Sequence, residues 1–441
     1  MSSTIPNLTF SELLALSRLL SPEDVRGLRE RFPEQTATAE GLTSLLVEQN
    51  LITQWQLQKL LKGKYKGFYL GDYKLQAHLA KGGMSALYSA IHTVTGEQRA
   101  LKVLPPAKAA QRSYLPRFLR EARITAAMKH INIMRVFEVV SNKVGESSLN
   151  FMAMELLHGR DLFQVVSDQG PQAIQWAAEI IRQAARGLHY AHQQGLVHRD
   201  VKPGNVFLTD TGIVKIIDLG LASVSEDFDE TLTQDYNERI LGTADYLAPE
   251  QAIDSHKADR RADVYGLGCT FYFLLTGQPP FAEGGLAQRL LAHQTKTPDD
   301  IRRFRNDVPQ ELQELLSKML TKDPDDRIPT AQLVAERLEL WLSEDSDKTS
   351  ALLRVFPPTR DTGLARFARK LKRILPGEQR LVAETPTDSL RSAETQTSDS
   401  LSGFVQSSVV ALAKRYDACV SPDDSACLGT DPANISNVGQ D

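Results

Sequence analysis

Two stretches carry the side chains best placed to do chemistry: Val197-His198-Arg199-Asp200-Val201-Lys202-Pro203-Gly204-Asn205, and then Lys215-Ile216-Ile217-Asp218-Leu219-Gly220. Asp218 and Asn205 offer hard oxygens of the kind a small divalent cation such as Mg2+ prefers. Asp200 is a carboxylate that could orient a hydroxyl and accept its proton. Taken singly each is a common turn residue, and Asn205 alone reads as readily as an Asx turn. Spaced as Asp200, Asn205 and Asp218, they are hard to read as turns.

Groups that far apart act together only if regular elements bring them to one edge. From Tyr69 the pattern runs at period two through Tyr73 to Leu79, Leu87 to His92, Gln98 to Leu104, Met134 to Val140 and Asn150 to Met154. This predicts an antiparallel sheet, interrupted by one helix from Tyr114 to Met128. From Asp161 helices dominate, among them Ala173 to Gln193, Ala262 to Thr276, Pro309 to Leu320 and Thr330 to Leu342. The fold class expected is α+β, a β-rich lobe followed by a helical lobe.

Ahead of the sheet, Leu8 to Leu20, Pro22 to Arg31, Ala39 to Gln49 and Thr53 to Lys62 repeat apolar residues at spacings of three and four. They predict short amphipathic helices, with Ser21 and Thr53 at N-cap positions and Asp24 three residues after Ser21. This helical module has no clustered polar constellation, so it is expected to bind a protein partner or brace the catalytic domain. The domains expected are a helical module over 1–65, a catalytic domain over 69–345 and a tail over 346–441. That tail holds a basic helix candidate from Leu364 to Ile374 and a Ser/Thr-rich stretch, Glu384 to Ser408, expected to be disordered.

Val197 to Asn205 and Lys215 to Gly220, with Ala100-Leu101-Lys102-Val103 before them and Ala248-Pro249-Glu250 after, resemble the eukaryotic-like serine/threonine protein kinase family of bacteria. The resemblance runs from roughly Tyr69 to Leu342. It implies a two-lobed protein kinase fold and transfer of the γ-phosphate of Mg-ATP to protein hydroxyls, a reaction that needs positioned charge and little covalent chemistry. Asp200 would then take the hydroxyl proton, and Asn205 and Asp218 would be metal ligands. Lys102 would hold the α- and β-phosphates with Glu121 as its partner, Glu138 being the other acid in reach. Lys202, two residues past Asp200, implies Ser/Thr acceptors, and Thr243 within Gly242 to Glu250 implies the same.

ATP is expected against Leu79, Ala80, Gly82, Leu87, Ala100, Met154, Glu155, Leu157 and Phe207. Leu87, Ala100 and Phe207 would sandwich the adenine, and Glu155-Leu156-Leu157 would bond it through the backbone. The chain departs from the family where Ala80-Lys81-Gly82-Gly83-Met84-Ser85-Ala86-Leu87 stands in place of GxGxxGxV. Ala80 and Ser85 carry β-carbons where close approach favours glycine, so weaker nucleotide binding is expected. Leu219 replaces the usual Phe. Glu250 and Arg327 would form a buried ion pair, and Asp263 would tether the catalytic loop. Arg199 implies an activation segment ordered by phosphorylation, with Thr231 or Thr233 as the residue modified.

Composition sets outer bounds. A net charge of -4 gives no pull toward nucleic acid. Cys269, Cys419 and Cys427 form neither a CxxC nor a disulfide framework, which fits a reducing, cytoplasmic compartment. No run reaches the ~18 apolar residues of a transmembrane segment. Two rival readings remain: a nucleotide-binding pseudokinase scaffold, motivated by Ala80 and Ser85, and a small-molecule phosphotransferase of related fold, which would lack Gly242 to Glu250 and Asp323 to Arg327.

Overall fold

The computed structural model describes residues 9–81, 85–111, 114–144, 147–219, 244–254 and 258–343. Gly82, Thr231, Thr233, Thr243, the basic stretch from Leu364 to Ile374 and the Ser/Thr-rich tail lie outside the described residues. The chain forms two compact units, which among the described residues comprise 9–119 with 136–156, and 120–135 with 157–343.

The first unit opens with α1 (Phe10–Ser17), α2 (Pro22–Arg31), α3 (Ala39–Glu48) and α4 (Gln54–Leu61). Their starts are fixed by local chemistry. Thr9, Ser21 and Thr53 each form a reciprocal capping box with the residue three positions on, and Thr38 caps α3 by accepting from Gly41 N–H. Leu14, Leu46 and Leu60 are fully buried where these helices meet.

Then come β1 (Tyr69–Leu70), β2 (Tyr73–Lys81), β3 (Ala86–His92) and β4 (Gln98–Leu104), followed by α5 (Pro106–Ala109), α6 (Tyr114–Ala127), β5 (Val136–Val144) and β6 (Ser147–Glu155). The six strands make one antiparallel sheet in the order β1-β2-β3-β4-β6-β5. Residues paired directly across strands share a face. Leu87, Lys102 and Met152 therefore lie on one face with Ala100 and Met154, while Ala86, Val103 and Phe151 lie on the other with Tyr88, Leu101 and Ala153. The second face forms a continuous cluster of buried apolar side chains, and Trp55 of α4 packs against it.

The second unit begins within α6 and continues with β7 (Gly159–Asp161), α7 (Leu162–Gln169), α8 (Ile174–Gln193), β8 (Val206–Thr209) and β9 (Val214–Ile216). After these come α9 (Pro249–Ile253), α10 (Arg260–Thr276), α11 (Leu286–Thr295), α12 (Gln310–Met319) and α13 (Ala331–Ser343). α10 is apolar on every side and buried from Ala262 to Leu275, as a central core helix must be. Two glycines permit contacts that side chains would block. A Cβ on Gly187 of α8 would sit 2.7 Å from Asn132 O, and one on Gly266 of α10 would sit 2.7 Å from Val201 O.

Candidate active site

The short hairpin β8–β9 explains how residues thirteen positions apart in the chain share one edge. Val206 pairs with Ile216, so Asn205 immediately precedes one strand and Ile217 immediately follows its partner. Ile217 N–H donates to Asn205 O at 3.0 Å, closing the ladder and leaving Asp218 as the next residue. β9 is held in turn by the segment under Gly187: Ile216 N–H donates to Asn132 O at 2.8 Å, and Asn132 Nδ2 donates to Val214 O at 2.9 Å.

Asp200 is gripped from two sides. Lys202 Nζ lies 2.9 Å from Asp200 Oδ2, and Asn205 Nδ2 donates to the same oxygen at 2.8 Å and to the Asp200 carbonyl at 2.8 Å. The Asn205 amide is thus oriented nitrogen toward Asp200, which turns its oxygen, the end able to bind a cation, away from that carboxylate. Asn205 is buried, and Asp200 and Lys202 keep partial exposure, 13% and 21% at the side chain.

Asp263, fully buried on α10, fixes the loop that carries these groups. Its carboxylate accepts from His198 N–H at 2.8 Å and Arg199 N–H at 2.6 Å, and lies 2.7 Å from His192 Nε2, which must carry the proton because a carboxylate only accepts. Arg199 takes a left-handed φ of 60°, and Gln251 Nε2 donates to its carbonyl at 2.8 Å. Its guanidinium donates through Nε and Nη2 to Ala258 O. Asp218 is also left-handed, at φ 58°. Such conformations in non-glycine residues cost on the order of 1–3 kcal/mol and persist where surrounding bonds impose them.

Within the sheet unit, Ala80, Leu87, Ala100, Lys102 and Met154 fall on the single face opposite Trp55. Leu79 is the unpaired extra residue of a bulge in β2, and Glu155 pairs with Arg99 at the end of β6. In the helical unit, Leu157 precedes β7, Phe207 is buried on β8 opposite Asp161, and Leu219 is buried in the main core. Glu121 is buried on α6. Glu138 pairs with Ala153 and accepts from Tyr73 Oη at 2.8 Å, which sets it on the sheet face opposite Lys102.

The scaffold pair is bidentate. Arg327, with a side chain 0% exposed, donates to both oxygens of Glu250 at 2.7 and 2.9 Å and also to the Thr321, Arg261 and Lys322 carbonyls. Beside it lies a cluster that sequence reasoning did not find. Tyr265 Oη contacts His293 Nδ1 at 2.9 Å and receives a bond from Lys322 Nζ at 3.1 Å. Burial, before all other causes, pushes the Lys322 ammonium down to about 8 and the His293 imidazole down to about 3.

The protein kinase domain family model matches residues 73–338. The chain is 37% identical over 264 residues to serine/threonine-protein kinase PknB of Mycolicibacterium smegmatis, covering 60% of this chain and 42% of that one. It is 36% identical over 255 residues to PknA of Mycobacterium tuberculosis, covering 58% and 57%. The crystal structure of the Mycobacterium tuberculosis PknI kinase domain is similar at 29% identity and a TM-score of 0.48, covering 62% of this chain and 98% of that one. The chain thus spans about half the length of the curated relatives it matches. With more than half of its residues matched by the family and its loop-borne Asp, Lys and Asn converging as described, the chain belongs to the protein kinase domain family.

Proposed function

We propose that this chain is a serine/threonine protein kinase that transfers the γ-phosphate of ATP, with Mg2+, to Ser/Thr hydroxyls of proteins. The observation that carries the reading is the convergence of Lys202 and Asn205 on one oxygen of Asp200. A carboxylate held in this way has a fixed orientation, as a base that must meet one hydroxyl requires.

The donor set suits a magnesium ion. A carboxamide oxygen from Asn205 and the carboxylate of Asp218, at the open end of one hairpin, are the hard oxygens such an ion takes, and few protein ligands suffice when phosphates and water complete the shell. When bound, the metal would neutralise the charge that develops on the phosphates. The protein's own groups do the rest. Asp200 orients the acceptor hydroxyl and receives its proton late in transfer. Lys202, beside it, faces the transferring phosphate as a cation with three donors. Lys102, on the sheet face opposite Trp55, would hold the non-transferring phosphates, and Glu121 is the residue we assign as its partner.

Leu79, Ala80, Leu87, Ala100, Met154, Glu155, Leu157 and Phe207 are the residues we assign to the nucleotide, with Gly82 from the loop outside the described residues. The domain division is read as 1–65, 69–345 and 346–441, and the setting as cytoplasmic. Among the described residues no helix is long and apolar enough to cross a membrane.

Incubation with γ-labelled ATP and a protein acceptor, followed by phosphoamino-acid analysis, tests the reading. Label on phosphoserine or phosphothreonine that disappears in Asp200→Ala supports it. Label on phosphotyrosine, or equal incorporation by both proteins, overturns it.

A further inference from the structure

We propose that Thr53 and Gln56, which lie ahead of the segment matched by the family, are positioning residues for nucleotide binding: the capping box of α4 clamps the bulged strand that leads into the phosphate-covering loop. The inference rests on the kinase reading and extends it to the N-terminal helical module.

Strand β2 is irregular in two places. Leu75 pairs with Ala90 and Ala77 with Ser89, so Gln76 is an extra residue with no partner on β3, and Leu79 is a second extra residue between His78 and Ala80. Each bulge leaves backbone groups outside the ladder and makes the strand easier to bend or slip. A slip of one residue would turn every subsequent side chain of β2 to the wrong face, Ala80 included.

α4 supplies what the ladder lacks. Within its capping box Thr53 N–H donates to Gln56 Oε1 at 2.9 Å, and Gln56 N–H donates to Thr53 Oγ1 at 3.2 Å. Both side chains have a donor left over, and both donors go to β2. The Thr53 hydroxyl donates to the carbonyl of the bulged Gln76 at 2.6 Å, and Gln56 Nε2 donates to the carbonyl of Leu75. Gln56 is 0% exposed, so no water can replace its bond to Leu75, while the Thr53 bond to Gln76 is half-buried.

The clamp is set against an aromatic seat. The Trp55 ring stands edge-on to Phe68 at 6.0 Å and to Tyr88 of β3 at 5.9 Å, and His78 of β2 stands edge-on to Tyr88 at 5.1 Å. α4 therefore grips both strands that frame the loop, from the face opposite Lys102. Two further bonds tie the same region to the end of α1: Tyr69 Oη to Arg18 O at 2.9 Å and Lys74 Nζ to Leu19 O at 3.2 Å. The register of β2 sets which way Leu79 and Ala80, two residues assigned to the nucleotide, face.

Variants that keep the helix cap and lose only the strand bonds test this in the full-length chain. Thr53→Asp remains a good N-cap but cannot donate to Gln76, and Gln56→Glu still accepts from Thr53 N–H but presents an acceptor to Leu75. Thr53→Ser keeps both bonds and serves as the rescue. The measurements are the KM for ATP, kcat, and Mg-ATP affinity by calorimetry, with thermal unfolding as a control. Expected is a KM for ATP raised about tenfold in Thr53→Asp and Gln56→Glu, as for the loss of one well-made hydrogen bond, with kcat within about twofold of wild type and Thr53→Ser unchanged.

An unchanged KM and Mg-ATP affinity in both variants overturns the inference, as does an equal loss of kcat that tracks lost thermal stability. A wild-type chain that binds Mg-ATP without transferring phosphate would refute the kinase reading instead, and the affinity comparison would then decide this one.

Discussion

At the residue scale, the candidate site depends on a few buried polar atoms. Asp263 satisfies two backbone N–H groups and one imidazole in a place water does not reach. Asp263→Ala would leave three buried donors without their acceptor, at roughly 1–3 kcal/mol each before relaxation. We expect a stability loss of several kcal/mol in chemical denaturation, together with loss of phosphoryl transfer. Asp263→Asn, which keeps shape but puts a donor where an acceptor is needed, should also be impaired. A variant of normal stability and rate would show that the loop is fixed by other means.

His293 makes a different prediction, about pH. Burial first, and the Lys322 charge second, hold this imidazole down at about 3, against 6.5 for an ordinary histidine, while the backbone of Asp245 opposes the depression and Arg289 adds to it. The unfolded chain therefore takes up a proton below about pH 6.5 that the folded chain declines. The stability this confers is complete above that pH and drains away as the pH falls from 6.5 toward 3. Thermal unfolding of wild type and His293→Gln across that range should show a shallower decline for the variant. Parallel curves would contradict the assignment.

At the element scale, a short hairpin and a long buried helix position the candidate site. The β8–β9 hairpin sets Asn205 beside Asp218, and α10 seats the loop through Asp263 and the bare backbone of Gly266. A methyl at Gly266 would press on Val201 O, so Gly266→Ala should cost about 1–3 kcal/mol, as overpacking does. It should also lower kcat more than the KM for ATP, because Val201 lies next to Asp200. Steady-state kinetics on the purified variant checks this.

How much of these elements could be read in advance depended on their length and their caps. The amphipathic helices and the long strands were legible, because period and capping residues are local: Ser21 and Thr53 stand at observed N-caps. Thr9 with Glu12 offered the same signal, and α1 begins two residues later than apolar spacing alone suggested. β8 and β9, of four and three residues, are too short for any period to show, although the motif residues at their ends were plain. Register was not legible at all. A sequence reading prefers Glu121 over Glu138 from its place on the predicted helix, and the face that Glu138 takes follows only from its pairing with Ala153. The bulge at Gln76 is likewise a property of two strands together, and so are the bonds that α4 makes to it.

At the scale of the whole molecule, the helical module and the six-stranded sheet fall in one compact unit, and the loop that carries Asp200, with its supporting helices, in another. The sheet's apolar face, with Leu75 and Leu101 fully buried, owes part of its cover to Trp55. Deleting residues 1–63 would uncover that face, at about 25 cal/mol per Å2 of apolar surface exposed. The truncated chain should melt several degrees lower and tend to self-associate, as scanning calorimetry and light scattering would register. Equal melting of both chains would mean that the module contributes nothing to the sheet.

An oriented Asp200 that moves phosphate to protein hydroxyls is the claim on which the molecule's function turns. Asp200→Asn tests it most directly, because the substitution keeps the size of the side chain and removes the base. Phosphoryl transfer from γ-labelled ATP should fall by roughly 10²–10⁴-fold, while Mg-ATP affinity, measured on the same preparation by calorimetry, stays within about threefold, since a base contributes to transfer rather than to binding. Transfer at the wild-type rate by Asp200→Asn would contradict it.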